Sequence, residues 1–261
     1  VIAEGDNISA GPPSPPGTIS FANRTERRRT FIIEEYTWKR DVLTAHQATT
    51  MQAFRELFDA EALRPGDDVE IDNVTIMFTD IESSTALWEH DAEKMAEALR
   101  QHNSVIRKAL SQYNGYEVKT EGDAFMVAFS SGWSAILCAI HIQRELLRVA
   151  WPEAILQTQT GAPQYNNKGT LIWRGVRVRM GLHAGEPELR EDPVTHRVDY
   201  FGPMVNRSAR IEGHTAGGQV NVSQAVFDDV CELLEASEEL EYKLLGEFDL
   251  KGIREKMNIY Q

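Results

Sequence analysis

The chain is 261 residues long, 42% apolar and 26% charged, enough for one large core or a core with an appendage. Its formal net charge of -13 repels nucleic acid and anionic membranes at long range, so a phosphate-bearing substrate would need locally placed cations. Cys138 and Cys231, far apart in sequence, make neither a disulfide scaffold nor a zinc cluster and point to a reducing compartment.

Residues 1–18 are rich in Pro, Gly and Ser, the composition of a linker or frayed start. A strand-like run, "TFIIEEYTW", precedes an amphipathic helix expected over residues 41–62, where Leu43, Met51, Phe54, Leu57 and Phe58 recur near helical spacing. Pro65 and Gly66 in "LRPGDD" end it. Residues 1–68 therefore read as a flexible N-terminus followed by a strand and helix connector from an upstream region, and a chain opening on Val is expected to be a piece of something longer. The longest apolar run, "WSAILCAIHI", is about half of the ~20 residues that a membrane span needs, and no signal peptide is visible. A cytoplasmic location is expected, with any membrane attachment outside this piece.

From Val69 strands and helices alternate. A strand "NVTIMF" leads into a helix over residues 83–110. "GYEVKT" and "DAFMVAF" form a hairpin, a second helix covers residues 133–149, and after a polar stretch, "TQTGAPQYNNKG", the strand "GVRVRMGLH" closes the unit. This order, βαββαβ, is the ferredoxin-like α+β arrangement, an antiparallel sheet with helices on one face. A turn "EDPVTHRVDYFG", a helix over residues 203–212, a strand "GGQVNVS", a further helix to Leu234 and a last pair of strands make a C-terminal extension. No internal repeat is present.

The stretch "IMFTDIESS" poses a chemical question, because an apolar strand ends on Asp80 with Glu82 two residues later. A buried carboxylate costs several kcal/mol unless its charge is compensated. Taken alone, Asp80 is a helix N-cap or a strand-end acid facing water, and Asp123 in "TEGDAF" is an ordinary turn residue beside Gly. In a βαββαβ sheet, however, the ends of adjacent strands would bring the two carboxylates within a few Å, and they would repel unless protonated or bridged by a cation. Hard ions such as Mg²⁺ are held by one or two carboxylates plus substrate phosphates. Asp80 and Asp123 are thus expected to hold metal, with the backbone carbonyl of Ile81 as an extra oxygen and Glu82 left solvated or capping.

Four segments in order, "VTIMFTDIESSTALW", "GYEVKTEGDAFMVAF", "VRMGLHAG" and "DYFGPMVNRSAR", resemble the class III nucleotidyl cyclases. The resemblance covers residues 73–261; residues 21–66 are weakly similar to a segment preceding the cyclase domain in some multidomain relatives. It implies a two-metal mechanism, with Mg²⁺ or Mn²⁺, in which the ribose 3′-hydroxyl attacks the α-phosphate in line and pyrophosphate leaves. Asp80 and Asp123 match the family's metal ligands. Lys119 and Asp199 match the base-recognising positions of adenylyl cyclases, where guanylyl cyclases carry Glu at the first. The chemistry agrees, since Lys only donates, as adenine N1 requires, and a carboxylate accepts from the exocyclic amine. Asn206 and Arg210, four residues apart and so about one helical turn, match the groups that orient the ribose and stabilise charge on the reacting phosphate. Lys251 in "DLKG" and Arg179 in "VRMGLH" match phosphate-binding positions. His183 is read as structural, and "ELLEASEELE" as a solvated helix face.

In the family the metal aspartates come from one subunit and Lys119, Asp199, Asn206 and Arg210 from the other, so a homodimer would have two complete sites and a monomer none. The expected function is adenylyl cyclase, ATP to 3′,5′-cyclic AMP and pyrophosphate, under an upstream regulatory domain of the same chain. The alternatives are a guanylyl or mixed cyclase, a catalytically silent regulatory domain, and another two-metal palm enzyme, for which the hairpin "TEGDAF" lacks the "GGDEF"-like turn.

Overall fold

A computed structural model describes residues 2–4, 7–9, 22–23, 73–191, 198–253 and 255–261. The chain divides into two compact units, residues 1–44 and 45–261. Within the first, β1 (Ile2–Glu4) pairs antiparallel with β2 (Asn7–Ser9) and parallel with β3 (Ala22–Asn23). The expected strand "TFIIEEYTW", the helix over residues 41–62 and the boundary near residue 68 lie outside the described residues.

The second unit is organised by β4 (Val74–Ile81). Its odd-numbered residues turn to one face of the sheet and its even-numbered ones to the other, and all but Phe78 and Asp80 are buried. Burial on both faces explains why this strand is a continuous apolar run rather than an alternating one. After it come α1 (Ser84–His90), α2 (Ala92–Gln112), the hairpin β5 (Tyr116–Glu121) and β6 (Ala124–Phe129), and α3 (Gly132–Leu146). A short α4 (Glu153–Leu156) and a small hairpin of β7 (Gln164–Tyr165) and β8 (Leu171–Trp173) precede β9 (Val178–Gly185). A second hairpin, β10 (Glu188–Glu191) with β11 (Val198–Phe201), leads into α5 (Pro203–His214). The chain ends with β12 (Val220–Ser223), α6 (Gln224–Glu235), β13 (Leu244–Phe248) and β14 (Met257–Tyr260).

The main sheet has the order β13-β14-β12-β9-β4-β6-β5, and its β9-β4-β6-β5 part is the antiparallel ferredoxin-like βαββαβ core. Three local readings differ from this outcome. The helix expected over residues 83–110 breaks at Asp91, whose extended backbone and carboxylate, accepting from Lys94 N at 3.0 Å, make it the N-cap of α2. The polar stretch before β9 holds the hairpin β7/β8, turned by Asn166, whose side-chain oxygen accepts from Lys168 N and Thr170 N at 2.9 Å. The expected turn "EDPVTHRVDYFG" is in part the hairpin β10/β11.

Helices cover both faces of the sheet rather than one. Met77 and Ile81 of β4, Phe125, Val127 and Phe129 of β6 and Val178, Met180 and Leu182 of β9 pack with the apolar sides of α2, α3 and α6. On the other face Val74, Ile76, Met126 and Ala128 pack with Tyr200, Met204 and Val205, which brings in α5. Ser208 fastens α5 there, its hydroxyl reaching Ile76 O at 2.7 Å and Gly181 O at 3.1 Å. By parity Asp80 and Arg179 lie on this second face, the one α5 covers.

Candidate active site

Asp80 and Arg179 are direct cross-strand neighbours on β4 and β9. Nη2 of Arg179 donates to Asp80 Oδ2 in a short ion-paired bond, and Nε approaches the same oxygen at 3.2 Å. Asp123 reaches the same corner from the β5/β6 hairpin, a two-residue loop whose Gly122 has φ +65°, open to glycine at no steric cost. Its Oδ2 accepts from Ile81 N at 3.1 Å, which fixes it at the end of β4 beside Asp80. Burial, and then the Asp80 charge, hold the Asp123 carboxyl above the ordinary carboxylate range, against the Ile81 N–H and the Ser84 hydroxyl that favour its ionised form.

Two anionic oxygen donors held this way fit a hard divalent cation, which would relieve their repulsion and replace the Arg179 guanidinium that now neutralises Asp80. Among the described residues no group of three or more His, Cys, Asp or Glu side chains could hold a metal, so the remaining ligands would have to come from Ile81 O, water or substrate.

Lys119 and Asp199, 80 residues apart, meet as an ion pair with Nζ 2.8 Å from Oδ2. A bulge between Glu117 and Lys119 shifts the register of β5 against β6, and Lys119 beyond it is exposed. Asp199 Oδ1 accepts from Tyr200 N at 2.7 Å, leaving Oδ2 for the lysine. The ring of Phe201 lies 5.9 Å from Lys119 Nζ, with Tyr200 buried beneath the same segment.

Asn206 and Arg210 are both exposed on α5, and neither side chain makes a hydrogen bond or ion pair among the described residues. Lys251 is exposed in the turn between β13 and β14, likewise without such a partner among the described residues. The fold thus joins Asp80, Asp123 and Arg179 in one corner and Lys119 with Asp199 in another.

Glu82 is neither solvated nor a cap, since its Oε1 accepts from Gly217 N at 3.1 Å and ties the end of β4 to the loop before β12. His183 is buried with Nδ1 2.8 Å from Ser223 Oγ, and burial, aided by the Arg207 charge, pushes its pKa down to about 4.

Three contributors escaped the sequence reading. The Ser84 hydroxyl favours the ionised form of Asp123, Phe201 flanks Lys119, and Glu212 of α5 places Oε1 2.6 Å from Arg179 Nε. Burial, and the Asp80 and Asp123 charges, push Glu212 up to about 7 against the opposing pull of Arg179. Only its position two residues after Arg210 hinted at it, and there it reads as a surface acid.

Residues 67–261 match the model of the adenylate and guanylate cyclase catalytic domain. An adenylate cyclase of Mycosarcoma maydis is 49% identical over 164 residues, 63% of this chain and 6% of that protein. A receptor-type adenylate cyclase of Trypanosoma equiperdum is 35% identical over 207 residues, 73% of this chain and 44% of that protein. The chain therefore spans less than half the length of these relatives. An adenylate cyclase structure from Trypanosoma brucei, described in its monomeric state, superposes with a TM-score of 0.66 at 34% identity, covering 75% of this chain and 90% of that one. With the fold, the motif order and a family match over most of its length, this chain belongs to the adenylate and guanylate cyclase catalytic domains.

Proposed function

We propose that the chain is an adenylyl cyclase catalytic domain that converts ATP to 3′,5′-cyclic AMP and pyrophosphate at a homodimer interface. The observation that carries the choice of base is the Lys119–Asp199 pair, one donor and one acceptor 2.8 Å apart. Adenine presents an acceptor, N1, beside a donor, its exocyclic amine, so it can replace the internal pair with two bonds of its own. Guanine presents a donor at N1 and an acceptor at O6, and would meet lysine and carboxylate the wrong way round.

Asp80 and Asp123, with Ile81 O, would hold two Mg²⁺ or Mn²⁺ ions, which when bound neutralise the triphosphate and stabilise charge on the attacking and departing oxygens. Asn206 is assigned to orienting the ribose and Arg210 to stabilising charge on the reacting α-phosphate. Arg179 and Lys251 are assigned to the outer phosphates. The exposure of Asn206 and Arg210, without side-chain partners among the described residues, supports their acting on a ligand shared with a second copy. No helix among the described residues is long and apolar enough to cross a membrane, and regulation is assigned to further domains of a longer protein, as expected of a segment that spans so little of its relatives.

The test is product analysis after incubation with ATP or GTP and Mn²⁺ over a range of protein concentrations. Cyclic AMP should dominate, with specific activity rising as the dimer forms. Mixing inactive Asp123→Ala chains with inactive Arg210→Ala chains should restore part of the activity. Equal use of GTP, or no recovery in demonstrated heterodimers, refutes the base assignment or the shared site respectively.

A further inference from the structure

Arg179 lies against two acids but is hydrogen-bonded to one of them. One is Asp80, its cross-strand neighbour; the other is Glu212, which approaches from the last turn of α5 and whose side chain is only 14% exposed. Glu212 Oε1 makes no hydrogen bond of its own although it lies 2.6 Å from Arg179 Nε, because the guanidinium N–H groups are turned toward Asp80. Glu212 is therefore a carboxyl acceptor in contact with Arg179 but not yet engaged by it. Its place is fixed by the backbone, since α5 approaches β9 so closely that a Cβ on Gly181 would stand 2.1 Å from Glu212 N.

We propose that Glu212 is a positioning residue for Arg179, the second anion to which the guanidinium turns when a divalent cation takes Asp80. The proposal rests on the reading of Asp80 as a metal ligand. Arg179 occupies Asp80 as a resident cation, and a metal ion can enter only as the guanidinium leaves. If that departure unpaired a two-thirds-buried arginine, the desolvation cost would count against metal binding. Glu212 removes that cost, because a turn of the guanidinium within the same contact gives it a charge-assisted bond of comparable strength. The burial that disfavours an isolated Glu212 anion works in the same direction, as it strengthens the pull on Arg179 once Asp80 no longer competes.

The test uses the full chain and Mn²⁺ alone, with the free ion read from its paramagnetic resonance signal. Glu212→Gln keeps the shape and removes the charge, so Arg179 is left with Asp80 as its one anion and Mn²⁺ affinity should fall about tenfold, the value of one partly exposed charged hydrogen bond. Arg179→Met removes the resident cation, so it should bind Mn²⁺ at least as tightly as the natural chain, and Glu212→Gln should have no further effect in that background. An unchanged affinity for Glu212→Gln, an equal loss in both backgrounds, or weaker binding by Arg179→Met overturns the proposal. Should Glu212→Gln fail to fold, Glu212→Asp carries the test, because it withdraws the carboxylate from Arg179 by one methylene and should also weaken Mn²⁺ binding, an unchanged affinity overturning the proposal. Asp80→Asn separates the two readings: if it binds Mn²⁺ like the natural chain, the metal assignment itself fails, whereas if it loses Mn²⁺ while Glu212→Gln does not, Glu212 alone is wrongly placed.

Discussion

Replacing Gly181 with Ala tests how the site is assembled, because at this position a helix leans directly on a strand. The added methyl would stand 2.1 Å from Glu212 N and 2.5 Å from its Cα, where ordinary contact begins near 3.4 Å. Both contacts are backbone, so no side chain can swing aside, and the C-terminal half of α5 has to retreat by about 1.3 Å. That retreat stretches the Ser208 bonds to Ile76 O and Gly181 O, now 2.7 and 3.1 Å. Overpacking costs about 1–3 kcal/mol, and loss of the Ser208 bonds adds about 1 kcal/mol, for a total of about 2–4 kcal/mol. For a domain of this size that lowers Tm by roughly 5–15 °C. If Asn206 and Arg210 act as proposed, a 1 Å displacement of their helix also costs about a hundredfold in turnover. Thermal unfolding followed by circular dichroism and cyclic AMP production with ATP and Mn²⁺ measure the two effects. A variant with Tm unchanged within about 1 °C and full turnover would refute the claim that α5 is seated on β9 through this glycine.

Lys119→Glu puts an acceptor where adenine N1 needs a donor and sets it against Asp199, so kcat/KM for ATP should fall at least about tenfold relative to GTP; an unchanged ratio would show that the pair does not read the base. Ser208→Ala removes the single hydroxyl proton that the Ile76 and Gly181 carbonyls share and should lower stability by about 1–3 kcal/mol, read as a lower urea midpoint at constant slope. His183, depressed to about 4 when folded, has an unfolded value near 6.5, so the unfolded chain binds more protons between those limits and stability falls as pH drops through that window. Its share is about 2 kcal/mol between pH 7 and 5, and His183→Gln should flatten the urea-derived pH profile by about that amount, the other titrating groups cancelling in the comparison.

Much of the core was legible because its signals are local. The double-faced burial of β4 writes itself as "VTIMF", and the amphipathic stripes of α2 and α3 follow helical period. The break at Asp91 was not legible, since the apolar period runs through it and only a cap geometry interrupts it. The small hairpins were missed for a related reason: β7 and β8 are two and three residues long, too short for alternation to register, and their turn is fixed by the Asn166 side chain. The placement of α5 on the far side of the sheet was invisible as well, because a helix records that it has an apolar face but not which surface receives it.

For the site, the sequence by itself determined the chemical inventory: an apolar strand ending in an acid, a turn carrying a second, a lysine and an aspartate suited to the adjacent acceptor and donor on one edge of adenine, and a helix bearing Asn206 and Arg210 one turn apart. These are properties of residue type and short spacing, which the chain carries before it folds. Which charges face one another was decided only in three dimensions. Arg179 lies 99 residues from Asp80, and the antiparallel register of β4 and β9 sets them side by side. Glu212, unremarkable along the chain, becomes the second anion of that arginine because a glycine lets α5 come down onto the sheet. Charge pairing depends on distance and burial, and both are set by packing between segments remote in sequence, where no local pattern can record them.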